Sequence, residues 1–275
     1  MNLPTVALKG RLVGTLPGRL LRRARWWAAF PQRIRHPELW DMYLEDRRVD
    51  VALRALLAAD STCVDVGAHI GSALQRLIEL APDGEHLAVE ADPDKAKVLI
   101  ERFPSVTVVN AAVSSSSGSA RFYRARRSGF SSLRPPFDSE VAGEIDVDVI
   151  SLDDLIDRAT VGVERTVPTV DFIKLDVEGA ELPALQGGDR LLKRDRPLVL
   201  FECGPRGSTK AFGYDRLDLY EHLRQLDYEV HSIGDFVYGR APLSAAEFDK
   251  AGTYPYRGFN YLALPAGYKT KRLVP

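Results

Sequence analysis

Cysteine is scarce in this sequence of 275 residues, which contains only Cys63 and Cys203. Each of the two lies in an apolar run of the kind that forms a β-strand. Two thiols cannot build a disulfide framework or complete the ligand set of a structural zinc site. We therefore interpret both as small buried hydrophobic residues, and we exclude the disulfide-rich and zinc-module classes of protein.

Long apolar runs are also absent. No uninterrupted stretch approaches the roughly 18 to 20 apolar residues that a membrane-spanning helix needs. The N-terminus has no run of about 7 to 15 apolar residues, which a secretory signal peptide would contain. With 45% hydrophobic and 27% charged residues, the composition is that of an ordinary globular protein. We expect one large domain, or one with a small appendage, in the cytoplasm.

Positions 1–36 contain no acidic residue. Because the formal net charge of the whole chain is −1, the rest of the chain is acidic. The basic residues of this leader are Lys9, Arg11, Arg19, Arg22, Arg23, Arg25, Arg33 and Arg35. An amphipathic helix is predicted by the spacing of Leu20, Leu21, Ala24, Trp27 and Ala28. The helix could pack on the domain through its aromatic residues, or residues 16–30 could contact an anionic membrane surface. We do not expect nucleic acid as a partner.

Short apolar runs alternate with helical patterns after a predicted helix at 37–59. The runs lie at 62–66, 86–90, 107–110, 171–176, 198–202 and 229–233. This alternation predicts an α/β fold with a doubly wound, mostly parallel sheet. Two short strands at 120–123 and 146–150, around a polar loop at 124–144, indicate an inserted β-hairpin or lid. A last run at 259–264 is expected to complete the sheet as an antiparallel strand.

A turn that contains glycine joins the first apolar run to a predicted helix at 72–80. Gly67 lets the backbone approach a ligand closely, and Gly71 permits tight packing of the helix against the strand. Asp65 can accept hydrogen bonds from the turn or from an ammonium group. Open α/β sheets bind nucleotides at such strand-to-helix turns, although two glycines can also merely form a tight turn.

Glu90 provides a second nucleotide-binding feature, because it ends the next apolar run about 20 residues after the turn, where a carboxylate can bind both ribose hydroxyls. The turn has the pattern GxxxG, and His69 stands where the middle glycine of GxGxxG would be. A pyrophosphate therefore fits poorly, whereas S-adenosylmethionine has no phosphate. Asn110, at the end of the third run, is then placed at the edge of the adenine.

Five ordered motifs, spread over about residues 63–202, resemble those of the FkbM family of methyltransferases. They are VDVGAHIG at 64–71, NAAV at 110–113, SSL at 131–133, SLDDL at 151–155 and DFIKLDVEGAE at 171–181. The resemblance implies a Rossmann-like methyltransferase fold and, as in many members, transfer of a methyl group to a hydroxyl oxygen. The cofactor contacts that we expect for S-adenosylmethionine are Asp65, Gly67, His69, Gly71, Glu90, Asn110, Ala111 and Asp176. We divide the chain into a basic helical extension at 1–60 and a methyltransferase domain at 61–275.

Acidic residues cluster where the fourth run ends, at the edge of the sheet beside the glycine turn. In methyl transfer to an alcohol, the acceptor oxygen must be held in line with the bond between the methyl carbon and the sulfonium, and its proton must be removed. Glu178 is the first candidate for the base, with Asp176 and His69 behind it. In the alternative, Asp176 binds the cofactor ammonium, Glu178 caps the next helix and Glu181 pairs with a cation on the surface.

Other charged residues near the predicted site have more than one interpretation. Lys174 shares a strand face with Asp176, so it could form an ion pair there or simply bury its aliphatic stem. A divalent metal at Asp176 and Glu178 lacks an identifiable third ligand, so no metal is predicted. The predicted polar loop also contains Arg124, Arg126, Arg127 and Arg134. These arginines could clamp an anionic acceptor, or they could simply lie in a solvated loop. His222 and His231 are interpreted as partly buried or surface histidines.

The sequence therefore predicts an O-methyltransferase that uses S-adenosylmethionine and acts on a sugar, glycolipid or secondary-metabolite acceptor. The choice of a hydroxyl rather than an amine as the acceptor group rests on the family resemblance, because the acidic strand end would suit an amine equally well. Two alternatives remain at this stage. One is an NAD-dependent oxidoreductase on the same sheet, and the other is a non-catalytic S-adenosylmethionine-binding module tethered to a membrane or an assembly.

Overall fold

The computed structural model describes residues 30–136, 139–159, 169–205 and 209–269, together with Thr15, Pro17, Leu20 and Ala24. The amphipathic helix predicted within 16–30, and the membrane contact proposed for it, lie almost entirely outside the described residues. In the described part of the chain, no helix is both long and apolar enough to cross a bilayer.

The secondary structure of the described residues alternates between strands and helices. The strands are β1 (Cys63–Val66), β2 (His86–Val89), β3 (Thr107–Val109), β4 (Ala112–Val113), β5 (Gly118–Ala125), β6 (Val141–Ile150), β7 (Phe172–Leu175), β8 (Leu198–Glu202), β9 (Tyr228–Ser232) and β10 (Asn260–Pro265). The helices are α1 (Phe30–Arg35), α2 (Trp40–Leu56), α3 (Ser72–Leu80), α4 (Pro93–Arg102), α5 (Leu152–Ala159), α6 (Glu181–Gln186), α7 (Asp189–Asp195), α8 (Arg216–Gln225), α9 (Ile233–Val237) and α10 (Ala245–Ala251). Short 3-10 helices lie at Pro37–Leu39 and Ser128–Phe130.

The main sheet has seven strands in the order β3-β2-β1-β7-β8-β10-β9. The pairs from β3 to β8 are parallel, and β10 runs antiparallel to both β8 and β9. The predicted doubly wound sheet with a final antiparallel strand is thus confirmed. Parallel strands end at one common edge, so the segments that follow β1, β2, β7 and β8 meet there.

Alternation of side chains along the strands divides the core between the two faces of the sheet. On one face, Val64 and Val66 of β1 pack in a cluster with residues of α5, α6, α7 and α8. On the other face, Cys63 packs with residues of α2, α3 and α9. Because α2 contributes Leu53 and Leu56 to this second cluster, the helix belongs to the core of the fold. Cys63 and Cys203 are both free and buried, as the sequence indicates.

The insertion between β3 and β7 is a separate three-stranded sheet in the order β4-β6-β5. Its two long strands exceed the predicted 120–123 and 146–150, so the loop between them is shorter than the predicted 124–144. Within the paired region, Arg121 on β5 contacts Glu144 and Asp146 on β6 at 3.8 and 3.3 Å. The ends that the prediction missed include Gly118 and Gly143, and glycine is depleted in strands.

Candidate active site

The turn after β1 follows a backbone path that requires glycine. Gly67, His69 and Gly71 all have positive φ angles, of 76°, 53° and 83°. A Cβ atom on Gly67 would overlap the carbonyl oxygen of Asp176, and one on Gly71 would overlap the ring of Phe103. Gly67 therefore brings the turn against the segment after β7, whereas Gly71 permits packing against α4 and the residue that follows it, not against the strand as predicted.

A cavity of about 310 Å³, here called the cofactor cavity, opens beside this turn at the carboxyl edge of the sheet. The predicted site residues that line it are Gly67, His69, Glu90, Ala111, Asp176 and Glu178. One part of its wall is apolar and consists of Ala111, Ala112, Val113 and Phe122. Such a wall suits a flat aromatic ring, while the charged residues lie toward the turn and β7.

Glu90 follows β2 and is buried at the wall of the cofactor cavity. Its two carboxylate oxygens accept backbone hydrogen bonds from His69 at 2.8 Å and Asp92 at 2.9 Å. Burial raises the pKa of Glu90, an effect that the ammonium of Lys95, 3.9 Å away, opposes. A carboxylate can accept about four hydrogen bonds, so Glu90 keeps acceptor capacity for two ligand hydroxyls.

Asn110 does not line the cofactor cavity with its neighbour Ala111. Its side-chain amide donates hydrogen bonds to the backbone carbonyls of Glu90 at 2.8 Å and Ala91 at 3.1 Å. Asn110 therefore fixes the loop after β2 that carries Glu90, rather than lining the cavity at the edge of the adenine as predicted.

Lys174 is the cation between the glycine turn and the acidic segment. Its ammonium lies 3.0 Å from Asp176 and 3.6 Å from Asp65, the residue beside it in the β1–β7 register. It also donates to the carbonyl oxygen of Gly67 over 3.4 Å. Burial lowers the pKa of Lys174, but the two carboxylates outweigh that effect, and the net shift is upward. Of the two predicted interpretations of Lys174, the structure shows the ion pair.

Asp65 is completely buried and does not line the cofactor cavity. Burial raises its pKa, and the charge of Lys174 opposes the rise. The residue is therefore the buried counter-charge of Lys174, so it supports the turn from behind the cavity wall.

A second cavity, of about 380 Å³ and here called the acceptor cavity, lies next to the first. Its wall combines carboxylates with aromatic rings, and the residues of these two types are Glu178, Glu181, Glu202, Phe130, Phe212, Tyr256 and Phe259. Glu178 also lines the cofactor cavity, so this residue lies at the junction of the two. Its backbone has a φ of 54°, which turns the chain sharply after β7.

The surroundings of the three candidate bases differ. Burial, followed by the charges of Asp176 and Glu181, raises the pKa of Glu178 to about 8. Burial, followed by the charge of Lys95, lowers the pKa of His69 to about 4, so its ring is a weak base. Asp176 is engaged by Lys174. Among these three candidates, Glu178 is the residue that lines both cavities.

Glu181 was expected at the surface, and that expectation is wrong, because only 2% of the residue is exposed. Its carboxylate accepts backbone hydrogen bonds from Val177 at 3.1 Å and Gly179 at 3.2 Å. The hydroxyl of Tyr214 donates to the carbonyl oxygen of Gly179 at 2.8 Å and lies 3.4 Å from Glu181. The tight turn leaves backbone donors without partners, and Glu181, rather than Glu178, satisfies them.

Glu202 is a site residue that sequence reasoning missed. It ends β8, next to β7 in the sheet, and lines the acceptor cavity. Burial, and then the neighbouring carboxyl of Asp176, raise its pKa well above the ordinary value. The sequence did contain a signal for Glu202, because this acidic residue ends an apolar run. Since β8 lies beside β7 in the sheet, its end lies at the same edge as the other site residues.

The loop between β5 and β6 covers both cavities with alternate residues. Gly129, Ser131 and Leu133 line the cofactor cavity, and Phe130, Ser132 and Arg134 line the acceptor cavity. This alternation explains the position of the SSL motif, and it gives the loop the lid role that its sequence predicts.

The loop arginines do not act together as a clamp. Arg124 binds Asp92 at 2.6 Å and Asp94 at 3.0 Å, and Arg126 binds Glu140 at 2.9 Å. Arg134 lines the acceptor cavity, with its guanidinium 5.9 Å from the ring centre of Phe212. The arginine cluster of the sequence therefore separates into ion pairs on the insertion and one residue at the cavity.

The remaining histidines lie away from both cavities. His231 is on β9 and packs edge-on against Phe236, with ring centres 6.2 Å apart. His222 is on α8, 3.2 Å from Asp189. Within residues 30–136, 139–159, 169–205 and 209–269, no group of three or more His, Cys, Asp or Glu side chains could hold a metal ion.

Comparison with known proteins connects this geometry to a family. The family model described as the methyltransferase FkbM domain matches residues 65–230, which is more than half of the chain. No curated protein matches the sequence.

Solved structures show similar folds. An FkbM methyltransferase from Methylobacillus flagellatus KT is 22% identical over 76% of this chain and 44% of its own, with a TM-score of 0.45. This chain therefore spans less than half the length of that protein. A TehB-like S-adenosylmethionine-dependent methyltransferase from Corynebacterium glutamicum is 14% identical over 89% and 99%, with a TM-score of 0.40. The plantazolicin methyltransferase BpumL, solved in complex with SAH, is 10% identical over 96% and 97%, with a TM-score of 0.38.

The cofactor cavity fits S-adenosylmethionine, which this family uses. The apolar wall suits the adenine, and Glu90 has acceptor capacity for the ribose hydroxyls. Asp176 lies where it can bind the ammonium of the methionine end. S-adenosylmethionine is thus the cofactor, in place of the NAD considered as an alternative. The family match and the order of the strands lead to one conclusion, that this chain belongs to the FkbM family of S-adenosylmethionine-dependent methyltransferases.

Proposed function

We propose that this protein is an O-methyltransferase whose acceptor is a hydroxyl group of a sugar, glycolipid or secondary metabolite bound in the acceptor cavity. The single observation that carries the proposal is the position of Glu178, which lines both cavities. A group at this junction can contact an acceptor oxygen that faces the methyl donor.

The chemistry needs one proton to be removed. S-adenosylmethionine supplies a methyl group activated by its sulfonium, and the bond from that carbon to sulfur breaks as the bond to the acceptor oxygen forms. Glu178 takes the hydroxyl proton. A base is most effective when its pKa lies near the working pH, and the pKa of about 8 meets this condition. General base catalysis of this kind contributes about 10²- to 10⁴-fold.

The wall of the acceptor cavity supports a polyhydroxylated acceptor. Carboxyl groups accept hydrogen bonds from hydroxyls, and Phe212 and Phe259 provide apolar surface for the carbon faces of a ring. Burial raises the pKa values of Glu178, Glu181 and Glu202, and a protonated carboxyl can also donate a hydrogen bond to an acceptor oxygen. Arg134 lines the same cavity, with its guanidinium 5.9 Å from the ring centre of Phe212.

The test is a methyl-transfer assay on the full chain, with S-adenosylmethionine labelled in its methyl group. The acceptor panel contains neutral sugars, glycosides, hydroxylated aromatics and matched compounds with an amine in place of the hydroxyl. We expect label on hydroxyl compounds, lost in Glu178→Gln and kept in the control Glu229→Gln, which changes a glutamate on β9.

Other outcomes would contradict the proposal in distinct ways. Label on amines alone would make the protein an N-methyltransferase, for which the acidic cavity is equally suited. Calorimetric binding of S-adenosylmethionine with no label on any acceptor would favour a non-catalytic binding module.

A further inference from the structure

Three aromatic rings form a row that leads from the protein surface into the acceptor cavity. Tyr254 and Tyr256 have ring centres 5.9 Å apart, and Tyr256 and Phe259 have ring centres 5.3 Å apart. Tyr256 and Phe259 line the acceptor cavity, whereas Tyr254 lies outside it and is 58% exposed. The rings of Tyr254 and Tyr256 are perpendicular and those of Tyr256 and Phe259 are tilted; Tyr254 is exposed, whereas Tyr256 and Phe259 are partly buried.

The segment that carries the aromatic row is held at two points. The guanidinium of Arg257 donates to both carboxylate oxygens of Asp235, at 2.9 and 3.0 Å. The buried carboxylate of Glu45, on α2, accepts backbone hydrogen bonds from Phe259 at 2.7 Å and Asn260 at 2.8 Å. A surface fixed in this way loses little conformational entropy when it binds a ligand, as a pre-formed binding site requires.

The chemistry around the aromatic row favours one kind of occupant. The hydroxyl of Tyr254 donates to the carboxylate of Glu38, so the outer ring stands beside a hydrogen-bond acceptor. At the inner end, Glu178 and Glu202 provide carboxyl groups in the cavity wall. Apolar ring faces next to carboxyl oxygens match a sugar, which has carbon faces and a rim of hydroxyl donors. The lining of the acceptor cavity includes three carboxyl groups and the guanidinium of Arg134, so it offers few cationic partners for the phosphates of nucleic acid or anionic lipid.

We propose that the aromatic row is a sugar-binding subsite, and that the acceptor is a neutral or cationic glycan of at least two units. The unit to be methylated occupies the acceptor cavity, and a neighbouring unit packs against the exposed ring of Tyr254. The ring of Tyr254 lies outside the acceptor cavity, with its centre 5.9 Å from that of Tyr256. A single sugar bound in the cavity would not contact Tyr254, whereas a second unit would. This inference rests on the proposed hydroxyl methylation, and it adds the length of the acceptor.

Binding tests the subsite separately from turnover. The full chain, saturated with S-adenosylhomocysteine, is applied to an array of neutral and amino-sugar glycans of one to five units. Tyr254→Ala is compared with Tyr238→Ala, because Tyr238 is also 58% exposed and lies outside the acceptor cavity. We expect retention of glycans with two or more units, reduced about 5- to 10-fold in Tyr254→Ala, as the loss of a stacking ring predicts, and unchanged in Tyr238→Ala.

Kinetics on a retained glycan distinguish a subsite from a merely structural residue. Tyr254→Ala should raise KM for that glycan about 5- to 10-fold and leave kcat and the KM of its monosaccharide unchanged. The inference is overturned if no glycan is retained, if monosaccharides are retained as well as longer glycans, or if both tyrosine variants behave alike. In each of these cases, label on a non-glycan or monosaccharide hydroxyl in the methyl-transfer assay would leave the proposed function standing.

Discussion

The hydroxyl of Ser132 donates a hydrogen bond to the backbone carbonyl of Glu178 across 2.8 Å. This contact joins the inserted loop to the residue at the junction of the two cavities. Ser132 is itself buried and pairs with Tyr123 of β5 through backbone hydrogen bonds of 2.8 and 3.1 Å. The position of the proposed base therefore depends on the insertion as well as on the main sheet.

Ser132→Ala should lower kcat/KM for the acceptor by about 2- to 12-fold, because one hydrogen bond contributes roughly 0.5 to 1.5 kcal/mol. The control is Ser139→Ala, which removes another loop hydroxyl, one that accepts from the backbone of Arg127 at 3.2 Å. Steady-state kinetics should show the loss in the first variant alone. Equal losses in both would mean that the contact with Glu178 has no specific role.

Gly67→Ala should abolish S-adenosylmethionine binding, because the added Cβ would overlap the carbonyl oxygen of Asp176. Gly239→Ala is a matched control, since Gly239 also has a positive φ, of 64°, but open space around its Cβ position. The control should lose only about 1 to 2 kcal/mol of stability to backbone strain. Calorimetric titration checks affinity, and unaltered binding to Gly67→Ala would contradict the close approach of the turn.

Lys174→Met should lower the free energy of unfolding by about 3 to 5 kcal/mol, the usual cost of leaving buried charge unpaired. Lys193→Met provides the comparison, because Lys193 pairs with Asp189 at the surface and should contribute at most about 1 kcal/mol. Adding Asp65→Asn to Lys174→Met should restore part of the loss. Urea unfolding measures all three, and equal effects at Lys174 and Lys193 would argue against a structural ion pair.

Stability should fall as pH rises from about 6.5 to about 8. The pKa of Glu178 is raised to about 8 and that of Glu181 to about 7, both by burial first, from an ordinary 4.5. The folded state thus holds protons that the unfolded chain has already released, and this advantage is lost as pH passes the raised values. Below about 6.5 the lowered pKa of His69 acts in the opposite direction. Thermal melts should show a smaller decline for Glu181→Gln, and a flat wild-type profile would contradict the raised values.

Much of the main sheet follows from the sequence, because its strands are buried on both faces and read as continuous apolar runs. The run predicted at 198–202 matches β8, and the others differ from the observed strands by a residue or two. The ends of β5 and β6 could not be read in this way, since they include Gly118 and Gly143, and glycine is depleted in strands.

The two cavities differ in how far sequence predicts them. The residues of the cofactor cavity lie in motifs at strand ends, and a parallel sheet brings such ends together. The acceptor cavity joins residues from separate loops, among them Phe130, Phe212 and Tyr256, which carry no common spacing. Glu181 shows a second limit, because nothing in its spacing indicates that unpaired backbone donors would bury it.

The central claim, that Glu178 accepts the proton of the acceptor, is tested most directly by the pH dependence of methyl transfer in Glu178→Gln and in the wild-type protein. Calorimetry first confirms that both bind S-adenosylmethionine. Wild-type kcat/KM should rise with pH up to about 8 and then level off, because the base must lose its own proton first. The variant should be about 10²- to 10⁴-fold slower and show no such rise. A variant that keeps the wild-type rate, or the same pH dependence, would contradict the account.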